Sequence, residues 1–374
     1  MAPFRNERIL IVSPEAWGSM RISKHHYATS LARAGAQVYF MGPRNTSPTR
    51  DDVAMAEEEG LVLVTDTWHW PGQRFLPRWS RALLDAAHLA GVARRCGGGF
   101  DILWNFDAYR FRSLRSRANA RVRLLHLMDL PRPWDAHEPA SNADLVIAVS
   151  QSMIDALGAH VREGIHVPHG ILPRPPGTDR TDRTGTGPHI GYAGNLAIPY
   201  LDLEGILRIA TEHPQATIHL FGPWSHAFGG KGQLAPDMLA RLRNQPNIRL
   251  HGQVPSSELH ERLSAMDLLL VAYDSARFPN ETRNSHKVLE YLMTGRPVLA
   301  SHMADLVQLH QLLVMAPPGT SIADLAGDVL RDLHKHNAPE RMAMRKAYAA
   351  SMSYDAHLLR IADALRSLND PART

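Results

Sequence analysis

One alternation runs through the chain twice: a short apolar run, a turn, a stretch of helical periodicity, then another apolar run. In the first half the runs are 8–13 (RILIVS), 37–41 (QVYFM), 61–65, 101–106, 122–127 and 144–149. In the second half they are 189–193, 217–221, 248–251, 268–272, 297–300 and 312–315. Apolar runs this short, bounded by turn formers, have the length of buried strands. Strands that alternate with helices pair in parallel and carry helices on both sheet faces. In the helical stretch 23–35, Ser23 reads as the cap, Tyr27, Leu31 and Ala34 share a face, and Gly35 ends the helix. Between the halves lies 173–188 (PRPPGTDRTDRTGTGP), dense in Pro, Gly, Thr and Asp and without apolar periodicity, which reads as a linker. The expected fold class is therefore α/β: two Rossmann-like parallel-sheet domains, 1–172 and 189–352, facing across a cleft. Ligands of such folds sit at the carboxyl ends of the strands.

Composition bounds the function. At 374 residues the chain has room for about two domains. No apolar run approaches the roughly 18 residues that cross a bilayer. The polar start, 1–8, has no signal-peptide core, so a cytoplasmic location is expected. The single cysteine, Cys96, excludes an internal disulfide framework and a multi-cysteine zinc site. Net charge is +4, and arginines outnumber lysines 36 to five. Arginine suits phosphate and carboxylate, and it also follows from GC-rich coding. A mildly basic surface fits nucleic acid, anionic lipid or phosphorylated substrates without choosing among them.

Several motifs are absent. After the first strand comes PEAWGS (14–19), with one glycine, so no dinucleotide fingerprint is present. The run GGKG (229–232) lacks the Ser or Thr that would hold magnesium in a phosphate loop. The pairs His25-His26 and His334-x-His336 have no acidic partner at ligand spacing, and no metal is expected. No G-x-S-x-G elbow occurs.

The most informative stretch is 284–301, NSHKVLEYLMTGRPVLAS. Asn284 or Ser285 reads as the cap of a helix that runs to about Thr294 and stops at Gly295. Lys287 and Glu290, three apart, share a face near its start, while Val288, Leu289 and Leu292 turn to the core. A helix N-terminus attracts anions through its N–H groups and dipole. Lys287 adds a full positive charge there, and Glu290 can accept hydrogen bonds from a diol such as ribose. The plainer alternative is an intrahelical ion pair, worth a few tenths of a kcal/mol. These residues alone leave both open.

Other segments carry a resemblance. VPHGI (167–171), GYAGN (191–195), LFG (220–222), IRLHGQV (248–254) before a Ser256 cap and a helix ending in Met266-Asp267, and the run 268–273, followed by 284–301, occur in one order and spacing. Together they resemble the nucleotide-sugar-binding half of GT-B glycosyltransferases, strongly over about 168–301 and weakly over the first half. The resemblance implies transfer of a sugar from a UDP- or GDP-sugar, without cofactor or metal. It implies a saccharide or lipid-diphosphate-linked saccharide acceptor, as in bacterial cell-surface polysaccharide synthesis. It further implies that Lys287 neutralises the donor diphosphate and Glu290 holds the ribose. Backbone at Gln253 and Val254 would meet the base, and Gly194 and Asn195 would let the pyrophosphate approach. Ser285, Gly222, Tyr273 and Arg283 complete the implied donor side. A C-terminal helix within 353–374 would cross back onto the first domain.

The chain departs from the common retaining pattern, which sets its two acids one residue closer than Glu281 and Glu290 stand. The basic pair usual after the opening glycine strand is replaced by Asn195-Leu196-Ala197. Such losses look more like exopolysaccharide enzymes similar to the xanthan glucuronosyltransferase, which are inverting; Arg283 is then the candidate to replace the missing charge. An inverting enzyme needs a general base. Asp129, just past strand 122–127, is the candidate, with His126 and Asp107 as rivals and a loop cap before Pro131 as the plainer reading.

Residues 67–84 (TWHWPGQRFLPRWSRALL) mix Trp68, Trp70, Phe75, Trp79 and Leu83 with Arg74, Arg78 and Arg81. Arg110, Arg112, Arg115, Arg117, Arg121 and Arg123 follow. Such stretches suit a membrane interface and a lipid-diphosphate acceptor, so peripheral contact with the inner membrane is expected. A core helix with a solvated Arg face is the alternative. Among other classes, a nucleotide-sugar epimerase would need further acids and a histidine network. A non-enzymatic binding protein of this build would normally be exported. A nucleic-acid role would leave Lys287 and Glu290 idle, so no nucleic-acid partner is expected.

Overall fold

A computed structural model of the chain describes residues 3–18, 21–45, 53–56, 59–67, 72–129, 133–172, 187–226 and 232–368. The chain divides into two units, Met1–Leu172 with Ser353–Thr374, and Pro173–Met352. Most of the expected linker (173–186) lies outside the described residues, as do Trp68, Trp70 and residues 229–231.

The first unit runs β1 (Arg8–Val12), α1 (Ser23–Arg33), β2 (Gln37–Arg44), β3 (Val53–Met55), β4 (Leu61–Asp66), α2 (Arg78–Arg95), β5 (Phe100–Asn105), β6 (Ala120–Leu127), α3 (Pro133–Asn142), β7 (Leu145–Ala148), α4 (Gln151–Leu157) and β8 (Gly164–His166). Its sheet has the order β3-β4-β2-β1-β5-β6-β7-β8. All neighbours are parallel except β3, which pairs antiparallel on the edge of β4. Ile9, Leu10, Ile11 and Val12 are all fully buried, as a central parallel strand covered on both faces requires. The chain leaves β1 on one side and returns with β5 on the other, which makes a topological switch point between them.

The second unit runs β9 (His189–Ala193), α5 (Leu203–Glu212), β10 (Thr217–Phe221), α6 (Pro236–Asn244), β11 (Ile248–Gly252), α7 (Ser256–Ser264), β12 (Leu268–Val271), α8 (Lys287–Thr294), β13 (Val298–Ala300), β14 (Val314–Met315), α9 (Ile322–Arg331), α10 (Leu333–His336) and α11 (Pro339–Ser351). Its sheet, β11-β10-β9-β12-β13-β14, is parallel throughout. Here the switch point lies between β9 and β12. A last helix, α12 (Tyr354–Leu368), belongs to the first unit. Its Tyr354, Leu358, Ile361 and Leu365 join the core that holds Tyr27 and Leu31 of α1, and Tyr27 Oη hydrogen-bonds His357 Nδ1 at 3.1 Å.

Three caps differ from expectation. Ser23 is the first residue of α1, and Ile22 holds the cap position, its N–H donating to His25 Nδ1 at 3.1 Å. Pro255 precedes α7 where Ser256 was expected to cap. His286, in helical conformation, precedes α8, because the Ser285 hydroxyl is engaged by Tyr273 at 3.0 Å. Two short strands, β3 and β8, were not expected at all.

Across β9, β10 and β11 three histidines form a ladder. His189 Nδ1 meets His219 Nε2 at 2.9 Å, and His219 Nδ1 meets His251 Nε2 at 2.9 Å, with the rings stacked. Each N–H···N bond requires its accepting ring to be neutral. Burial, then the neighbouring His251, His189 and Arg249, push His219 down to about 4, against an ordinary value of about 6.5. The unfolded chain thus takes up a proton between about pH 6.5 and 4 that the folded unit refuses, so stability falls as pH drops through that window and is unaffected above it. Ring NMR of His219 is expected to show a midpoint near 4; titration at the ordinary histidine value would contradict the burial that holds the ring neutral.

Candidate functional site

The carboxyl ends of β9 and β12 bring one cluster together. Lys287, the first residue of α8, turns its Nζ between two tyrosines and donates to Tyr192 Oη and Tyr273 Oη, each at 3.3 Å. The ammonium also lies over both rings, 5.1 Å and 5.4 Å from their centroids. Burial lowers the amine to about 8, partly opposed by the Glu290 charge. At neutral pH it is still mostly protonated: a charge held short of its usual hydration, which an anion would complete.

The walls of the cluster are fixed. Tyr273 N–H donates to Ser301 Oγ at 2.8 Å, and Tyr200 packs edge-on against its ring. Tyr291 of α8 reaches back to β9, where Ala193 N–H donates to its hydroxyl at 2.8 Å and its hydroxyl donates to Ala193 O at 3.3 Å. Burial pushes Tyr192, Tyr273 and Tyr291 upward, so all three stay neutral. Gly295, at φ +77°, ends α8, and Val288, Leu289 and Leu292 face the core.

Gly194 makes the arrangement possible. It has φ +155°, and a Cβ there would overlap Lys287 Nζ and lie 2.7 Å from Lys287 Cε and 2.8 Å from Tyr192 Oη. Gly222, at φ +141°, is equally constrained, since its Cβ would overlap the carbonyl oxygen of Gly194. Gly194 N–H donates to Phe221 O at 2.8 Å, and Gly222 N–H to Gly252 O at 2.7 Å, which ties together the ends of β9, β10 and β11.

The other expected residues fall as follows. Ser285 is buried against Tyr273. Glu290 is exposed on α8, near enough for its charge to act on Lys287. Asn195 folds its Oδ1 back to accept from Ala197 N–H at 2.9 Å. Gln253 is exposed and Val254 half-buried just past β11, two strands from Gly194, or about 10 Å. Arg283 pairs with Asp305 at 2.8 Å, so its charge is already matched. The N–H groups of Val288 and Leu289 are taken by Ser285 O and His286 O, so α8 offers its dipole at this end more than its free donors. Tyr192 and Tyr291 were not read as site residues. A tyrosine at the end of a buried strand, needing a partner for its hydroxyl, was the available signal.

In the first unit, Asp129 is exposed just past the carboxyl end of β6. His126 is fully buried. Its Nδ1 accepts from Trp104 Nε1 at 3.2 Å, and its Nε2 has no hydrogen-bond partner among the described residues. Burial keeps it neutral, well below the usual histidine range. Asp107 is bound by Arg110 Nε at 2.7 Å and by Tyr109 N–H at 2.9 Å. Among the described residues, no group of three or more His, Cys, Asp or Glu is placed to hold a metal.

No protein-family model matches the chain, and no curated protein matches it by sequence. Solved structures do. A sucrose-phosphate synthase from Thermosynechococcus elongatus superposes with TM-score 0.67 at 16% identity, over 96% of this chain and 99% of that one. An E. coli protein described as trehalose-6-phosphate bound with UDP-2-fluoro glucose gives 0.65 at 12%, over 95% and 98%. Anabaena HepE in complex with UDP and glucose gives 0.64 at 15%, over 97% and 100%. The chain has the GT-B fold.

Gly194→Ala tests the cluster's geometry. It is expected to cost about 1–3 kcal/mol of stability in urea unfolding, since alanine is strained at this φ and would displace the lysine. An unchanged midpoint would contradict the packing described.

Proposed function

We propose that the chain is a glycosyltransferase that moves a sugar from a nucleoside-diphosphate sugar to a saccharide or lipid-linked saccharide acceptor, in the building of a bacterial cell-surface polysaccharide. The observation that carries this reading is the Lys287 ammonium, desolvated between Tyr192 and Tyr273 at the head of α8 and at the switch point of its sheet. Ligands of open parallel sheets bind at such points. The solved structures that share the fold add support, because two of them are described with a UDP-sugar, or with UDP and glucose.

The chemistry follows from charge. As the bond from the sugar's anomeric carbon to the diphosphate breaks, the leaving group gains negative charge. A preorganised ammonium and the positive end of a helix dipole stabilise that charge more than they stabilise the intact donor. Gly194 leaves the strand end without a side chain, so a diphosphate can approach the backbone. In the inverting reading Asp129, in the first unit, takes the proton from the acceptor hydroxyl as it attacks the opposite face of the sugar. Retention is the second reading. It is favoured by the likeness to a trehalose-6-phosphate synthase studied for transfer with retention, at TM-score 0.65 and 13% identity.

Four measurements follow. Lys287→Ala is expected to keep its fold and weaken UDP and GDP by about tenfold or more, the loss of a charge-assisted contact. Wild-type affinity for the diphosphate should fall as pH rises past about 8 and the ammonium empties. Unchanged affinity in the variant would overturn the donor site. Asp129→Asn should lower turnover by about 10²–10⁴ while keeping nucleotide affinity. NMR of the product separates the two stereochemical readings: a retained anomer removes Asp129 from the base role.

A further inference from the structure

The edge strand β11 does not pair evenly with β10. Leu220 is level with Leu250 and Phe221 with Gly252, so His251 is the extra residue of a bulge. Bulges re-aim a side chain and gather beside functional sites. Here the His251 ring stacks on Phe221 at 4.4 Å and turns its Nε2 to His219 Nδ1 at 2.9 Å. His219 in turn meets His189 Nδ1 through its other nitrogen, also at 2.9 Å. The three histidines stand 30 and 32 residues apart, so no local ligand spacing announces them.

His219 uses its two nitrogens in opposite directions, so the three rings surround no common point. That agrees with the absence, among the described residues, of a metal site with three such ligands. What the ladder does form is a facing pair with a support behind it. A zinc–nitrogen bond is about 2.0–2.1 Å, so two nitrogens on one tetrahedral ion stand about 3.3 Å apart. The His219 and His251 nitrogens, now at 2.9 Å, need part by only about 0.4 Å to admit one. His219 then carries its proton on Nε2 and donates it to His189 Nδ1. Such an outer bond is what fixes the tautomer and orientation of a metal-bound histidine. His251 is exposed on the edge of the sheet, which leaves water free to fill the remaining positions of an ion. The charges nearest His251 are Arg262 and Arg249. Arg262 is paired with Glu258 at 3.1 Å, and Arg249 Nη1 donates to the carbonyl oxygens of Pro246 and Ile248 at 2.7 and 3.1 Å. Both are therefore already engaged.

We infer that His219 Nδ1 and His251 Nε2 form a two-histidine site for a divalent copper, nickel or zinc ion, with His189 as its positioning residue. Imidazole suits these ions, whereas hard ions such as magnesium prefer oxygen. With two protein ligands the ion is exchangeable. It acts as a staple between β10 and the edge strand β11, not as a resident cofactor of the transfer. This goes beyond the proposed function and does not rest on it, since neither Lys287 nor Gly194 takes part.

The test is thermal unfolding of the untagged full chain with Ni²⁺, set against Mg²⁺, together with EPR of the chain loaded with one equivalent of Cu²⁺. An ion that binds the folded chain raises its midpoint, so Ni²⁺ should raise it and Mg²⁺ should not. The Cu²⁺ spectrum is expected to show two nitrogen ligands. His251→Ala removes a ligand at an exposed position, so the metal-free midpoint should change little. Its affinity for Ni²⁺ should fall about tenfold or more. His189→Ala keeps both ligands, loses the positioning bond, and should bind Ni²⁺ about 10–100-fold more weakly. No shift with Ni²⁺, an equal shift with Mg²⁺, or a Cu²⁺ spectrum without two nitrogens would overturn the inference. So would wild-type Ni²⁺ affinity in either histidine variant. Lys287→Ala should bind Ni²⁺ as the wild type does, whatever becomes of its nucleotide affinity, which keeps this reading separable from the donor site.

Discussion

A partly desolvated ammonium governs how the second unit is built. Withdrawing a lysine from water disfavours its charged form, and the cost is bearable only if neighbours replace part of the lost hydration. Two tyrosine hydroxyls and two ring faces do so for Lys287, incompletely, and the amine falls to about 8. Everything nearby serves that placement. Gly194 clears the space, Ser285 and Ser301 hold Tyr273, and Tyr291 ties α8 to the end of β9. The result is a charge already positioned, opposed only in part by the exposed Glu290 carboxylate, which is what an anionic leaving group requires.

The first unit uses similar strands for a different end. Past its central strands, polar groups are matched among themselves: Arg110 binds Asp66 at 3.1 Å and Asp107 at 2.7 Å, and His88 binds Asp66 at 2.9 Å. That network fixes the loops after β4 and β5. It leaves Asp129, past β6, as the exposed acid at the end of that strand. Elsewhere in this unit the outer side of α2 exposes Trp79 and Leu83, while Arg78, Arg81 and Arg112 gather on the buried carboxylate of Glu138.

Much of the sheet order was legible because parallel strands buried on both faces read as plain apolar runs. His189–Ala193 and Thr217–Phe221 have the bounds their sequences suggest. β3 and β8 escaped because each has only three residues and no full apolar run, and β3 is an antiparallel edge. Serines were over-read as caps: a cap is decided by backbone geometry and by competing partners, and Ser285 found a tyrosine instead. Lys287 was legible from its place at a helix start after a strand. Its tyrosine neighbours were not, because Tyr192 and Lys287 are 95 residues apart and meet only through sheet packing. The exposure of Glu290 and the pairing of Arg283 with Asp305 are likewise tertiary facts that no local spacing encodes.

The most direct measurement is a crystal structure of the chain grown with UDP or GDP. The account predicts the diphosphate at the carboxyl ends of β9 and β12, with an oxygen in hydrogen-bond reach of Lys287 Nζ and the nucleotide backbone passing Gly194. A nucleotide bound elsewhere, or a Lys287 ammonium still engaged only by Tyr192 and Tyr273 in a saturated crystal, would contradict it.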